Sequence, residues 1–384
     1  MTPITSNAEL SAFCDRLRSA PFIAVDTEFM RETTYWPKLC LIQAAGADVA
    51  AVIDPMAEGL DLAPFLALML DERIVKVFHA ARQDVEIFNN LGAMPAPLFD
   101  TQIAAMAAGY GEQVAYDALV RQMLKIELDK SSRFTDWSRR PLSEAQLKYA
   151  LADVTHLAKI YPKLRDRLER EGRLAWVAEE MKGMSNPAYY DMDPENAWKR
   201  LKPRKFNAKY LAAFRATAAW RERTAQTRDQ PRGRILKDEA IDEVATQLPM
   251  DAEGLNRLRS VPKGFSGSRF GPDLLAALIE AMRDPEAYAP EVERPEGRGG
   301  SPPGAVIELL KVLLKARAED AGVASKLIAT VADLEKIAAD DSAKVAALQG
   351  WRRELFGEDA LRLKRGELAL VLDGARVQVV EIEG

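Results

Sequence analysis

Four short apolar runs mark the first third of the chain. They are residues 22–29 (FIAVDTEF), 39–44 (LCLIQA), 49–53 (VAAVI) and 74–78 (IVKVF), and Ala45-Gly46-Ala47-Asp48 supplies turn material between the second and third. Each run predicts a β-strand, and the first three follow one another closely enough to predict a meander. Residues 60–70 predict a helix. After His79, AARQDVEIFNNLG has helical spacing and stops at Gly92. Strands first, then strands alternating with helices, predict an α/β layer fold with a mixed sheet.

The pattern then turns helical. From Ser143 to about Met184 the spacing is helical throughout, and Ser143 followed by Gln146 is a capping-box arrangement. SNPAYYDMDPEN at 185–196 interrupts it. A second helical region runs from about Ala208 to Arg283, and the stretch 284–304 is rich in Pro, Gly and Glu and predicts flexibility. A third block runs from Ala305 to about Leu363. The closing ELALVLDGARVQVVEI alternates about Asp373-Gly374 and predicts a hairpin. The expected organisation is a domain over 1–186, a linker over 187–207, a helical domain over 208–286, a flexible linker over 287–304 and a second helical domain with a terminal hairpin over 305–384. LAAFRATAAWRER and VIELLKVLLKARAED, each opening its helical block, form a weak internal repeat.

Composition narrows the function. With 384 residues, 48% hydrophobic and 29% charged, the chain is long enough for two or three domains. No apolar run approaches the roughly 18 residues of a membrane span, and the N-terminus shows no basic-then-apolar leader. Two cysteines, Cys14 and Cys40, are too few for a disulfide framework and fit a reducing, cytoplasmic setting. Two histidines and no CxxC argue against zinc. The absence of GxxxxGK[ST] and GxGxxG argues against a nucleotide cofactor. The net charge of −5 hides an uneven distribution: Lys199 to Lys237 carries thirteen basic residues against Glu222 and Asp229, a segment charge of +11. A basic stripe on an acidic chain fits a polyanionic partner; the alternative is a solvated helix face.

Asp26 and Glu28 lie two apart on the first strand, so both point to one face near its end. Asp84 falls early in the helix after the fourth run. Tyr149 and Asp153 stand one turn apart on the helix that Ser143 opens, at the border of an apolar stripe of Leu147, Ala150, Leu151, Val154 and Leu157. Singly, each motif reads as solvated acids or a surface hydrogen bond. Together, four carboxylates suit hard divalent cations, which take oxygen ligands and in pairs clamp the oxygens of a phosphodiester displacement.

The order DTE, then Asp in a helix after a strand, then YxxxD resembles the tyrosine branch of the DEDD exonuclease superfamily. DTEFMRETTYWPKLCLIQ, VFHAARQDVEIF, LFDTQIA and DWSRRPLSEAQLKYALADVTHL resemble the ribonuclease D family in particular, over roughly residues 20–165. The resemblance implies a ribonuclease H-like α/β exonuclease domain with a mixed sheet and flanking helices, followed by two mostly helical HRDC-like domains. The first helical domain carries that likeness in FRATAAWRERTAQTRDQPRGRILKDEAIDEVATQLP and LRSVPKGFSGSRFGPDLLAAL, and the second, more divergent, in DLEKIAADD and ALQGWRRELFGEDALRLKRGEL. The alternative for the second block is packing against the catalytic domain to form a funnel for single strands.

What the resemblance implies for the site follows position by position. Asp26 bridges two divalent ions, Mg²⁺ or Mn²⁺. Glu28 and Asp153 complete the site of the ion that activates water, Asp84 holds the second, and Tyr149 orients the attacking water. Met30, His79 and Lys130 are candidate substrate contacts, each with packing, capping or solvation as its alternative. Arg221, Arg228, Arg232 and Arg234 are candidate RNA contacts. The expected activity is 3′→5′ exoribonucleolysis releasing nucleoside 5′-monophosphates. The expected partner is RNA with a single-stranded 3′ end, transfer RNA precursors above all. The alternatives are a 3′→5′ DNA exonuclease and a silent RNA-binding adaptor.

Overall fold

The computed structural model describes residues 2–292 and 304–382. Residues 293–303 of the expected flexible linker lie outside the described residues. Two compact units are present. One comprises the described residues of Met1–Glu28, Cys40–Tyr189 and Gly297–Gly384, and the other those of Phe29–Leu39 and Tyr190–Glu296.

In the first unit, β1 (Phe22–Met30) is buried along its first four residues, as a strand covered on both faces must be. It sits in the middle of a five-stranded sheet with β2 (Lys38–Ala45), β3 (Ala50–Ile53), β4 (Val75–Phe78) and β5 (Leu98–Asp100), in the order β3-β2-β1-β4-β5. β4 runs parallel to both β1 and β5, whereas β2 and β3 are antiparallel, with Ile42 opposite Ile53 and Ala45 opposite Ala50. The sheet is therefore mixed, as expected. β5 escaped the sequence pattern because three residues are too few to show a period.

The helices of this unit are α1 (Asn7–Leu17), α2 (Ala63–Leu70), α3 (Arg82–Asn90), α4 (Thr101–Ala107), α5 (Tyr116–Leu124), α6 (Glu144–Arg170) and α7 (Leu174–Met184). The capping box of α6 is made. The Gln146 amide donates to the Ser143 hydroxyl at 3.2 Å and the Ser143 amide to the Gln146 side chain at 2.9 Å. Gly172, at φ +68°, separates α6 from α7 within the stretch read as helical throughout. α6 packs on β3 and β4, with α4 and α5 against it. On β4, the fully buried Lys76 donates to the carbonyls of Asp71, Ile74 and Ala96, closing the loops on both sides of the strand.

The C-terminal block belongs to this same unit. Its main helices are Gly304–Ala321, Val331–Ala339 and Glu358–Lys364, and β6 (Leu368–Asp373) pairs with β7 (Arg376–Glu381) as the expected terminal hairpin. Trp351 stacks on Trp176 of α7 with ring centroids 4.1 Å apart. The buried Arg352 pairs with Glu179 and Glu180, and Arg173 donates to the carbonyls of Ala107 and Ala321. The block thus packs on the α/β domain, the alternative to an independent module.

In the second unit, α8 (Ala208–Arg228) buries residues on every side, which marks a central helix. Helices Asp238–Gln247 and Phe270–Ala281 pack on it. The stretch expected as a linker is partly structured here: a 3₁₀ turn over Pro194–Arg200 lies along α8 and places Ala197 in the core. No helix of the described residues is long and apolar enough to cross a membrane.

Two glycines give an internal control on how tightly the C-terminal block is seated. Gly92 and Gly109 both follow helices at φ +78° and +75°. A Cβ on Gly92 meets nothing within 4 Å, whereas one on Gly109 would lie 2.4 Å from the Gly322 carbonyl oxygen. Gly92→Ala should cost about 1 kcal/mol from backbone strain alone. Gly109→Ala should cost roughly 2–4 kcal/mol, because a well-packed contact must also open. Urea midpoints at unchanged slope check the difference.

Candidate active site

The sequence places acids where β1 leaves the core, and the fold brings two others to them. Ligand oxygens of Asp26, Glu28 and Asp153 all lie within 4.8 Å of one another. Asp84, in the first turn of α3, accepts a 2.5 Å hydrogen bond from the Thr27 hydroxyl, on the strand residue between Asp26 and Glu28. Tyr149, one turn before Asp153 on α6, directs its hydroxyl at the Asp153 carboxylate and sets its ring 6.1 Å from that of Trp137. The five residues implied by the resemblance therefore form one cluster drawn from β1, α3 and α6.

Local chemistry explains each placement. The α3 start is fixed by Asp100, a buried carboxylate that accepts from the amides of Ala80 (3.0 Å) and Ala81 (2.8 Å) and caps α4 through Gln102 (2.7 Å). One carboxylate thus sets the entry of two helices, and Ala80 adopts φ +59° to make the turn. The Tyr116 hydroxyl donates to the Asp153 carbonyl and ties α5 to α6 beside the site. Arg140 grips Asp54 with two bonds of 2.7 Å and also donates to the Cys40 carbonyl, pinning the loop before α6 to the sheet.

The cluster is electrostatically unbalanced. Burial, and then the neighbouring Asp153, push the Asp26 carboxyl well above the usual carboxylate range. Glu28 is raised by burial and by Asp26, Asp153 and Asp84. Asp84 is raised by burial and Asp26, and Asp153 by burial. The Tyr149 hydroxyl is also raised, by burial and then Asp153, Glu28 and Asp26. Arg133 is a cation whose charge opposes these shifts at Glu28, Asp153 and Tyr149. The donor set is all hard oxygen. Metal–oxygen bonds of about 2.1 Å put opposite ligands about 4.2 Å apart, so the 4.8 Å cluster fits a divalent cation.

The remaining candidates occupy varied environments. Both ring nitrogens of the half-buried His79 are engaged, Nδ1 with the Thr101 hydroxyl (2.9 Å) and Nε2 with the Val114 carbonyl (3.1 Å), and its ring meets Tyr116 edge-on. Burial lowers its pKa. Lys130 is paired with Asp117 at 2.5 Å and half exposed. Met30 ends β1, half-buried. In the second unit, Arg221 is buried against Asp238 and the Leu236 carbonyl. Arg232 forks onto the buried Glu222 and lies over the Tyr35 ring. Arg228 lies over Phe270, and Arg234 is exposed. Two of the four candidate arginines, Arg221 and Arg232, are therefore engaged by acids of their own unit.

Residue reading alone missed Thr27, Asp100, Tyr116 and Arg133. Asp100 had a usable signal: Asp directly before Thr101 and the short run TQIAAMA is an N-cap pattern. The others are reached only by long-range contacts.

The crowding has a measurable consequence. Above pH about 4 the unfolded chain releases carboxyl protons that the folded cluster retains. Metal-free stability should therefore fall as pH rises from about 4 through the raised folded-state values. In EDTA, Asp26→Asn should raise the melting temperature at pH 8 by about 2–4 °C and flatten that decline. Millimolar Mg²⁺ should raise the wild-type midpoint and leave the Asn variant's nearly unmoved. Calorimetry across pH 5–8, with and without metal, tests both.

Comparison with known proteins agrees with this geometry. A family model described as 3′–5′ exonuclease matches residues 1–169, and an HRDC domain model matches residues 211–278. The chain is 53% identical to ribonuclease D of Nitrobacter hamburgensis over 383 residues, covering 99% of this chain and 100% of that one. It is 51% identical to ribonuclease D of Granulibacter bethesdensis over 380 residues, covering 99% and 96%. The crystal structure of Escherichia coli RNase D, described as an exoribonuclease involved in structured RNA processing, superposes with a TM-score of 0.80 at 30% identity, covering 95% of this chain and 99% of that one. With a carboxylate cluster on an α/β domain and an HRDC domain following it in the sequence, the chain belongs to the ribonuclease D family of hydrolytic 3′→5′ exoribonucleases.

Proposed function

We propose that this ribonuclease trims the single-stranded 3′ ends of structured RNAs, transfer RNA precursors above all, one nucleotide at a time. The observation that carries the site assignment is the meeting of Asp26, Glu28 and Asp153 within 4.8 Å, with Asp84 beside them. The substrate class rests on the family and on the RNA-processing role described for the E. coli relative.

In this reading Asp26 would contribute to holding both of two divalent cations, Mg²⁺ or Mn²⁺, with Glu28 and Asp153 serving one and Asp84 the other. The cations supply Lewis-acid stabilisation of the charge that develops on the phosphodiester and lower the pKa of water. The chain's own residues do the rest. Thr27 holds Asp84 in place by donating to it, and Asp100 sets the helix that carries it. Tyr149 stays protonated at neutral pH, because burial and the surrounding acids raise its hydroxyl. Its proton is directed at Asp153, so its oxygen lone pairs are left to accept from, and orient, the attacking water. It is a positioning group and not a general base. The leaving product is a nucleoside 5′-monophosphate.

The test is a 5′-labelled transfer RNA with a short 3′ extension, set beside matched DNA, in Mg²⁺ or EDTA. A one-nucleotide ladder should appear on RNA with metal and vanish in EDTA. Asp26→Asn should lower kcat at least about 10³-fold. Tyr149→Phe should lower kcat about 10–100-fold without moving the alkaline limb of the pH–rate profile. A shift of that limb would make Tyr149 the base. A ladder on DNA alone would overturn the RNA reading.

A further inference from the structure

Phe134 is 91% exposed, more than any other large hydrophobic side chain of the described residues; the hairpin residue Leu372 follows at 79%. Burying a phenyl ring is favourable, so a ring held in water forgoes a sizeable stabilisation. The exposure does not come from a slack loop. The Arg133 amide donates to the Lys130 carbonyl at 3.1 Å, and the Thr135 hydroxyl to the Ser132 carbonyl at 2.8 Å. The Gln146 side chain, itself fixed in the capping box, donates to the Thr135 hydroxyl at 3.1 Å. Ser132 and Trp137 point inward and are buried on either side of the ring's position. Farther along, the Arg140–Asp54 fork anchors the segment to the sheet. The backbone presents Phe134 outward.

Its neighbour links it to the acids. The Arg133 guanidinium lies 5.2 Å from the Phe134 ring centroid, and the same segment's Trp137 sets its ring 6.1 Å from that of Tyr149, beside the acids whose charge Arg133 offsets. A flat apolar face and a planar cation thus sit side by side at the rim of an acid cluster that handles a phosphodiester. A nucleotide offers the complement: a base with a π-face and, across the sugar, a phosphate that Arg can hold.

We infer that Arg133 and Phe134 form a subsite for a nucleotide flanking the scissile bond, Phe134 stacking on its base and Arg133 contacting its phosphate. The inference rests on the exonuclease reading above. Stacking that any base can satisfy suits an enzyme that must process successive nucleotides of mixed sequence. It also favours a single strand, whose bases can unstack.

The test measures kcat and KM on a single-stranded oligoribonucleotide for the wild type, Phe134→Ala, Phe134→Trp and Arg133→Gln. Melting temperatures serve as a check that the exposed positions leave the fold intact. Phe134→Ala should raise KM about 5–150-fold, the kinetic equivalent of the roughly 1–3 kcal/mol lost with one stacked base, with kcat within twofold. Phe134→Trp should restore KM, and Arg133→Gln should lower kcat/KM on the same substrate. The same oligonucleotide with an abasic terminal or penultimate residue should reproduce the KM increase in the wild type. Phe134→Ala should be indifferent to one of those two deletions. A wild type that makes the RNA ladder while Phe134→Ala keeps its KM on every substrate overturns the subsite and leaves the exonuclease reading standing. Failure of the wild type to cleave RNA overturns both.

Discussion

Like charges held close together in a poorly solvated place are the constraint from which the rest follows. Two carboxylates about 4.8 Å apart repel by on the order of 3 kcal/mol at an effective dielectric near 20, and here ligand oxygens of Asp26, Glu28 and Asp153 all fall within that distance of one another, with Asp84 at their side. No segment would adopt this arrangement for its own sake. It persists because each acid is carried by an element whose position is decided elsewhere. β1 is committed by its buried apolar start, α3 by the turn that Asp100 caps, and α6 by its capping box and its packing on β3 and β4. The apolar core supplies the stability, and the repulsion remains for a cation to relieve.

Other buried carboxylates of the chain show what a settled charge looks like. Asp100 accepts three backbone N–H bonds. Asp54 takes both arms of Arg140 and the Met56 amide. Glu222, buried in the second unit, takes the fork of Arg232, a bond from Arg200 and the Tyr35 hydroxyl. Despite the burial that raises it, those bonds hold its carboxyl below the ordinary range. Among the described residues the four site acids have fewer partners: Asp26 accepts from the Thr27 amide, Asp84 from the Thr27 hydroxyl, Asp153 faces the hydroxyl of Tyr149, and Arg133 acts on the cluster from a distance. Buried acids that are fully bonded fasten the fold, whereas buried acids left short of donors mark the place where an external cation completes the set.

This difference also explains what was legible in the sequence. The strands carrying long apolar runs, the capping box at Ser143 and Gln146, and the hairpin about Asp373-Gly374 are local features, written in consecutive residues. The acids were visible as motifs, each weak alone and made specific by order and by the surrounding strings. β5, Asp100 and Arg133 were not visible by residue reading, because a three-residue strand has no period and a contact across the fold leaves no spacing. The C-terminal block shows the same limit. Its helices were readable, but its seating rests on single long-range pairs, Trp176 on Trp351 and Arg352 on Glu179 and Glu180.

The basic segment carries the point further. Counted along the chain, Lys199 to Lys237 holds +11, which reads as a nucleic-acid face. In the fold, Arg221 and Arg232 turn inward, one to Asp238 and a carbonyl, the other to Glu222, and Arg200 joins the same buried acid. Those arginines hold their unit together, and a phosphate could recruit them only by breaking bonds that the core requires. Electrostatic attraction for RNA in this unit therefore falls to cations that keep their charge outward, such as Arg234. A formal charge sum overstates a binding face whenever arginine serves as a core residue. The same residue type at Arg133, set in a rigid turn beside an outward ring, acts on the acid cluster itself. Orientation, more than number, decides which arginines a nucleic acid meets.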